Sequence, residues 1–116
     1  MILHDKIIIT GTSRGIGNYL AKYYLDAGYT VFGCSRNPIK ISSKNYFHFL
    51  LDISDENSVK KMLNEIRVNH GGVDILINNA GIASMNHSLL TKIETVHKIF
   101  DTNFVGTFLF CRETAK

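Results

Sequence analysis

Lys6-Ile-Ile-Ile-Thr-Gly-Thr-Ser-Arg-Gly-Ile-Gly17 is the stretch on which the rest of the chain depends. Ile7, Ile8 and Ile9 form an unbroken β-branched run, too short for a helix, and predict a strand buried on both faces. Thr10 and Gly11 end that strand. Gly11, Gly15 and Gly17 come next in a tight loop, and a helical pattern starts at once. Its apolar face is expected to carry Ile16, Leu20, Tyr23 or Tyr24, and Ala27, with Gly28 as the residue that closes it. A strand, a glycine turn and a helix N-terminus make an anion site, because the first-turn N–H groups lack helical partners and the macrodipole favours negative charge. Glycine also lets a diphosphate approach the backbone with no Cβ in the way. By itself such a cluster is equally a plain strand-to-helix turn. The spacing here is Gly-x-x-x-Gly-x-Gly, not Gly-x-Gly-x-x-Gly.

Thr30 to Cys34 predicts a second short strand, so the chain opens with a strand–helix–strand crossover and a parallel sheet. In a dinucleotide fold an acid about 20 positions beyond the loop bonds the ribose 2′-hydroxyl. Here that place holds Ser35 and Arg36, and no carboxylate stands between Cys34 and Ser43. Arg36 offers a planar fork suited to phosphate, and Arg14 in the glycine loop is a second cation nearby. Each alone is an ordinary surface arginine. Together, with the acid missing, they favour a 2′-phosphate, hence NADP over NAD.

Asn37-Pro38 marks a loop, and Tyr46 to Leu51 predicts a third strand closed by Asp52 and Ile53. His48 within it reads as a partly buried structural histidine. Asp52 either caps the next turn or meets an adenine amino group at the sheet rim. Ser54 to Asn69 predicts a helix with Ser54 as N-cap and Val59, Met62, Leu63 and Ile66 as its inner stripe, ended by His70-Gly71-Gly72. Val73 to Ile77 predicts a fourth strand. Asn78-Asn79-Ala80-Gly81 leaves its carboxyl end, where open α/β sheets bind ligands, although the same residues also suit a simple turn. Ile82 to Thr91 is expected to be a loop. From Ile93 one long helix is expected to the end, with Val96, Ile99, Phe100, Asn103, Thr107, Phe110 and Cys111 inward. Asn103 on that stripe needs a partner in a neighbouring loop, a helical carbonyl or an ordered water. Phe104 and Phe108 lie elsewhere on the helix and suggest a second packing surface or a subunit contact.

A length of 116 residues allows one domain, and a formal charge of +3 with no basic run makes nucleic acid a poor partner. The two cysteines, Cys34 and Cys111, have no metal-like spacing and are expected to be buried thiols of an intracellular protein. The start, Met1-Ile2-Leu3 followed by His4 and Asp5, leaves no room for a signal peptide, and no apolar run approaches membrane-spanning length. A soluble cytoplasmic protein with no metal and no membrane partner is expected.

Taken together, these residues resemble the amino-terminal half of a short-chain dehydrogenase/reductase. Thr10 to Gly17 matches the family's TGxxxGxG loop, Asp52 its adenine-contact acid, Asn78 to Gly81 its NNAG motif, and Asn103 the helix asparagine of its Asn-Ser-Tyr-Lys catalytic set. The resemblance covers essentially the whole chain. It implies a doubly wound parallel α/β sheet ordered 3-2-1-4, cut before a fifth strand, with residues 1–116 as the first portion of a single NAD(P)-binding Rossmann domain. It implies NADP(H) contacts from Gly11, Thr12, Ser13, Arg14, Gly15, Ile16, Gly17, Ser35, Arg36, Asp52, Ile53, Asn79, Ala80 and Gly81. Ser35-Arg36 resembles the NADP-preferring members, including 3-oxoacyl carrier-protein reductases. The implied activity is hydride transfer between the nicotinamide and a small carbonyl or alcohol, in a protein that commonly forms homo-oligomers.

In the family the Ser and the Tyr-x-x-x-Lys lie further on, after the fifth strand. None of Tyr19, Tyr23, Tyr24, Tyr29 and Tyr46 is followed four residues later by lysine. Without that general acid the 116 residues are expected to be inactive alone. They are expected to behave as a fragment whose exposed strand Val73–Ile77 promotes association. A non-catalytic NADP-binding or redox-sensing module is the competing reading. A methyltransferase-like domain would want an acid where Arg36 stands, and a P-loop nucleotidase is excluded because no Gly-Lys-Ser/Thr comes after the glycines.

Overall fold

The computed structural model describes residues 5–84 and 87–116. The expectation drawn from Met1 to His4 lies outside them. Strands β1 (Lys6–Thr10), β2 (Thr30–Ser35), β3 (Tyr46–Leu50) and β4 (Ile75–Ile77) form one parallel sheet in the order β3-β2-β1-β4. The order is the one expected from the sequence. Strand β4 is shorter than the predicted Val73–Ile77 because Asp74 spends its groups at the strand's start. Its N–H donates to the Lys6 carbonyl and its side chain accepts from the Lys6 N–H.

Side chains alternate across the sheet and so divide the core in two. Ile7, Ile9 and Val31 pack with Ala21 of helix α1 (Gly15–Asp26) on one face. Ile8 and Phe32 pack on the other face with Val59, Leu63 and Ile66 of α2 (Glu56–His70) and with Leu109 and Phe110. Ile7, Ile8 and Ile9 are fully buried, as a strand covered on both faces requires. Helix α1 is shallower than its pattern predicts. Ile16, Tyr23 and Ala27 are exposed, and Leu20, Tyr24 and Leu25 carry the contact with the sheet. Gly28, at φ +93°, takes the left-handed turn expected of it.

Helix α2 begins after Asp55, not at Ser54. The Ser54 N–H and hydroxyl both donate to the Asp52 carboxylate, at 2.9 and 2.7 Å, so Ser54 belongs to a turn built by Asp52 and cannot cap the helix. Its predicted stripe of Val59, Met62, Leu63 and Ile66 is buried.

The largest departure lies after residue 87. A short 3₁₀ turn, Ser88–Leu90, sits in the expected loop. The expected single helix is α3 (Ile93–Phe100), a π-helical turn (Asp101–Val105) and α4 (Gly106–Ala115). A π turn inserts a residue into the helical repeat and rotates everything beyond it. Within and beyond it, Asn103 and Cys111 are exposed and Thr102, Gly106, Leu109, Phe110 and Glu113 face inward; Val96 and Phe100, which precede it, are exposed as well. Gly106 allows the approach: a Cβ there would lie 2.7 Å from the Ile53 side chain. Arg112 ties α4 to α2 through Glu56 at 2.6 Å. Of the two cysteines only Cys34 is buried. Phe104 and Phe108 are exposed, as expected of residues outside the inward stripe. Among the described residues no helix is long and apolar enough to cross a membrane, and no cluster of metal-ligating side chains occurs.

Candidate cofactor site

The carboxyl ends of β1, β2 and β4 open into one cavity of about 490 Å³. Its floor is the β1–α1 loop, whose main-chain groups are held by both main-chain and side-chain partners. The N–H groups of Gly11 and Thr12 both donate to the Cys34 carbonyl, at 2.9 and 3.2 Å. The Asn18 side chain donates to the Thr12 carbonyl at 3.2 Å, and the Asn79 side chain to the Gly11 carbonyl at 3.2 Å. The Thr10 hydroxyl, buried at the end of β1, accepts from the N–H groups of both Asn79 and Ala80 at 3.0 Å. The loop after β4 is thereby sewn to the loop after β1.

Gly17 fixes how closely these pieces meet. A Cβ there would lie 2.0 Å from the Gly11 carbonyl oxygen and 2.5 Å from Asn79 Nδ2. Gly15 is different: a Cβ would meet nothing within 4 Å, and only its left-handed backbone, φ +62°, calls for glycine. Helix α1 starts at Gly15 with no side-chain cap and no acid in its first turn. That end suits an anion, since neither a competing carboxylate nor a capping oxygen occupies it.

The far rim is built from side chains. Arg36, at the end of β2, pairs with Asp52, just beyond β3, at 3.1 Å, with both side chains roughly half exposed at 50% and 42%. Burial pushes the Asp52 carboxyl up, but the Ser54 N–H, the Ser54 hydroxyl and the Arg36 guanidinium outweigh it and hold the carboxyl below its ordinary value. Asp52 stays ionised near neutrality and anchors one edge of the guanidinium. A guanidinium has five donors, so the pairing leaves others for an anion in the cavity. Cys34 lies behind this rim. Burial pushes its thiol up to about 12, against a backbone hydrogen bond from Gly11, so it stays protonated and unreactive.

Of the residues singled out in the sequence, Gly11, Ser13, Arg14, Gly15, Ser35, Arg36, Asp52, Ile53, Asn79, Ala80 and Gly81 line the one cavity. Thr12 and Gly17 lie behind it, buried, and Ile16 turns away from it at 72% exposure. Asn103 does not line the cavity either. It is exposed, yet partnered: its side chain accepts from the Ile82 N–H and donates to the Ile82 carbonyl, each at 2.8 Å. It pins the loop just after Gly81, which was one of the partners open to it from the sequence. The cavity also touches Cys34, Asn37, Leu51, Ile82 and Thr102, none of which the sequence singled out as site residues. The signal available for most of them was adjacency to a residue that was.

The family profile described as short chain dehydrogenase matches residues 5–116. The chain is 36% identical over 111 residues to an uncharacterized oxidoreductase of Schizosaccharomyces pombe, covering 94% of this chain and 38% of that protein. It is 33% identical over 109 residues to an NADPH-dependent pterin aldehyde reductase of Arabidopsis thaliana, covering 86% and 45%. Among solved structures, a short chain dehydrogenase of Leptospira borgpetersenii with bound NAD+ superposes with a TM-score of 0.91 at 26% identity, covering 98% of this chain and 49% of that one. The structure of ElxO with NADP bound superposes with a TM-score of 0.87 at 31% identity, covering 96% and 49%. The chain thus spans less than half the length of each of these relatives.

Proposed function

The chain belongs to the short-chain dehydrogenase family, and from that premise we propose that it carries the NADP(H)-binding half of a reductase acting on a small carbonyl or alcohol. One observation carries the choice of nucleotide: Arg14 and Arg36 line the same cavity as the glycine loop, and the end of β2 offers no carboxylate of its own. The named relatives include one described as NADPH-dependent and one structure with NADP bound, against one with NAD+. The residues fit a dinucleotide. The uncapped start of α1 and the open side of Gly15 suit a diphosphate, and Asp52, which lines the same cavity, would accept from an adenine amino group. Gly11, Ser13, Arg14 and Gly15 would hold the diphosphate, Ser35 and Arg36 the 2′-phosphate, and Asn79 to Gly81 the ribose side. The cofactor, when bound, supplies the hydride. Asn103 acts on this chain's own backbone, fixing Ile82 at the cavity edge.

The 116 residues by themselves are expected to bind without turnover, because no Tyr-x-x-x-Lys occurs within them. Titration of the chain with NADPH and NADH, followed by nicotinamide fluorescence, tests the nucleotide. Saturable binding that favours NADPH and loses that preference in Arg36→Ala is the expected result; equal or absent binding overturns it. Adding simple aldehydes to the NADPH complex then tests the chemistry, and steady NADPH oxidation would contradict the expected inactivity.

A further inference from the structure

Behind the far rim lies a chain of hydrogen bonds that the proposed cofactor contacts do not use. It begins at Thr12 in the glycine loop, fully buried, whose Oγ1 lies 2.7 Å from Tyr46 Oη on β3. Tyr46 Oη lies 2.7 Å from His48 Nδ1, two residues along the same strand and on the same face. His48 Nε2 then reaches Ser35 Oγ at 2.9 Å and the Asn37 carbonyl at 3.2 Å. The Thr12–Tyr46 bond passes directly over Gly33 of β2, where a Cβ would lie 2.1 Å from Tyr46 Oη and 2.4 Å from Thr12 Oγ1. Only glycine leaves room for it.

Proton counting gives the chain a direction. The Ser35 hydroxyl donates its one proton to the Asn37 carbonyl, so towards His48 it can only accept. His48 must therefore carry its proton on Nε2, and Nδ1 accepts from the Tyr46 hydroxyl. Tyr46 in turn accepts from Thr12. Each hydroxyl proton has one place, and one imidazole edge holds the residues on both sides of Arg36. Burial keeps the His48 ring below its ordinary value, against the pull of the Asn37 carbonyl, so it is neutral near pH 7 as this arrangement requires. Burial likewise pushes the Tyr46 hydroxyl up to about 12, so it remains a donor.

We propose that His48 is a positioning residue for cofactor selectivity: by clamping Ser35 and Asn37 from behind the sheet, it sets Arg36 in place to receive the 2′-phosphate. The proposal rests on the NADP(H) reading of the cavity. Among the described residues the Arg36 side chain pairs with Asp52 alone, at an exposed rim where an ion pair is worth little. Its aim must come from the backbone on either side: the Ser35 hydroxyl joins the two neighbours directly, and among the described residues His48 is the side chain from another strand that holds both.

The test is the ratio of NADPH to NADH affinity in the full 116-residue chain, with thermal unfolding as the control for fold. His48→Phe keeps the ring shape and deletes both nitrogens. It should lower the NADPH:NADH affinity ratio about tenfold while leaving NADH binding within about twofold, the size expected from losing one well-placed charged contact. His48→Gln, whose amide restores a donor towards Ser35, should recover most of the ratio. Tyr46→Phe removes only the hydroxyl that fixes Nδ1 and should move the ratio the same way by less; it decides the matter if His48→Phe does not fold. A merely structural His48 would weaken both nucleotides together, and that outcome, or an unchanged ratio in both variants, overturns the proposal. If the wild-type chain binds neither nucleotide, the cofactor reading itself fails and the selectivity role falls with it. If the wild type prefers NADPH and the variants keep that preference, the role of His48 alone is wrong.

Discussion

The glycine loop of residues 11–17 and the Arg36–Asp52 rim face each other across one cavity, and they are held by different means. The loop is fixed by main-chain bonds, a buried threonine hydroxyl and contacts that admit no Cβ. The rim is an ion pair of two half-exposed side chains, backed at a distance by His48. Backbone packed to contact does not yield by small amounts, whereas exposed side chains rearrange at little cost. Changes in the loop should therefore cost stability and binding together, and changes at the rim should alter which nucleotide is preferred while the fold stays intact.

Gly17→Ala gives the strongest challenge to that contrast. Its Cβ would overlap the Gly11 carbonyl and crowd Asn79, both part of the same sewn unit. Loss of about 3 kcal/mol or more is expected from such overpacking, read in urea unfolding, together with loss of nucleotide binding. A variant with the wild-type unfolding midpoint would show that the loop is softer than its contacts imply. Thr10→Val comes next. It keeps the shape but leaves the Asn79 and Ala80 N–H groups without their acceptor, at a cost of about 2 kcal/mol. Thr10→Ser should restore most of that, since the hydroxyl, not the methyl, makes the link.

Legibility in the sequence divides along the same line. The buried strand Ile7–Ile9, the closing glycines and the sheet order could be read because backbone requirements choose residue types narrowly: isoleucine where both faces are covered, glycine where φ is positive or space is absent. The candidate loop residues were readable for the same reason. The phase of the last helix was not. One π turn at Asp101–Val105 rotates the helix beyond it, and no residue there advertises the change. Cys111 thus faces solvent although its spacing fits an inner stripe, and Thr102, within the turn, faces inward although it is polar. The pairing of Arg36 with Asp52 and the relay through Tyr46 and His48 join residues distant in sequence, and local pattern carries no record of such contacts. The alternation of Tyr46 and His48 on one face of β3 was the available hint, visible only once the neighbouring strand is known.

At the rim, Arg36→Ala should leave stability within about 0.5 kcal/mol of the wild type, because exposed ion pairs contribute little. The same substitution should weaken NADPH about tenfold and NADH hardly at all, as loss of one charge-assisted phosphate contact would. An equal loss for both nucleotides would place Arg36 against the part they share and would move the 2′-phosphate elsewhere in the cavity. A large loss of stability would mean that the rim is as rigid as the loop, and the contrast between them would dissolve.

The smallest expected effect lies in the acid response of Asp52. Burial raises its carboxyl, but the Ser54 donors and Arg36 bring it below its ordinary value of 3.8. A carboxyl lower in the folded chain than in the unfolded one binds fewer protons when folded, so it adds stability above the unfolded value and loses it as pH falls through the folded one. Because the side chain is 42% exposed, solvent screens the contribution to less than about 1 kcal/mol. Arg36→Ala removes part of what lowers the carboxyl, so acid unfolding below about pH 4 should become slightly less steep, while stability at pH 7 hardly moves. Observing the Asp52 carboxyl directly by carbon-13 NMR separates this group from the other acids. In Arg36→Ala its midpoint should rise, since the guanidinium's share of the lowering is lost while both Ser54 bonds persist. No rise at all would mean that the two side chains are apart in solution and that Arg36 is already free for an incoming anion, which would make the rim looser still than the exposed pair suggests.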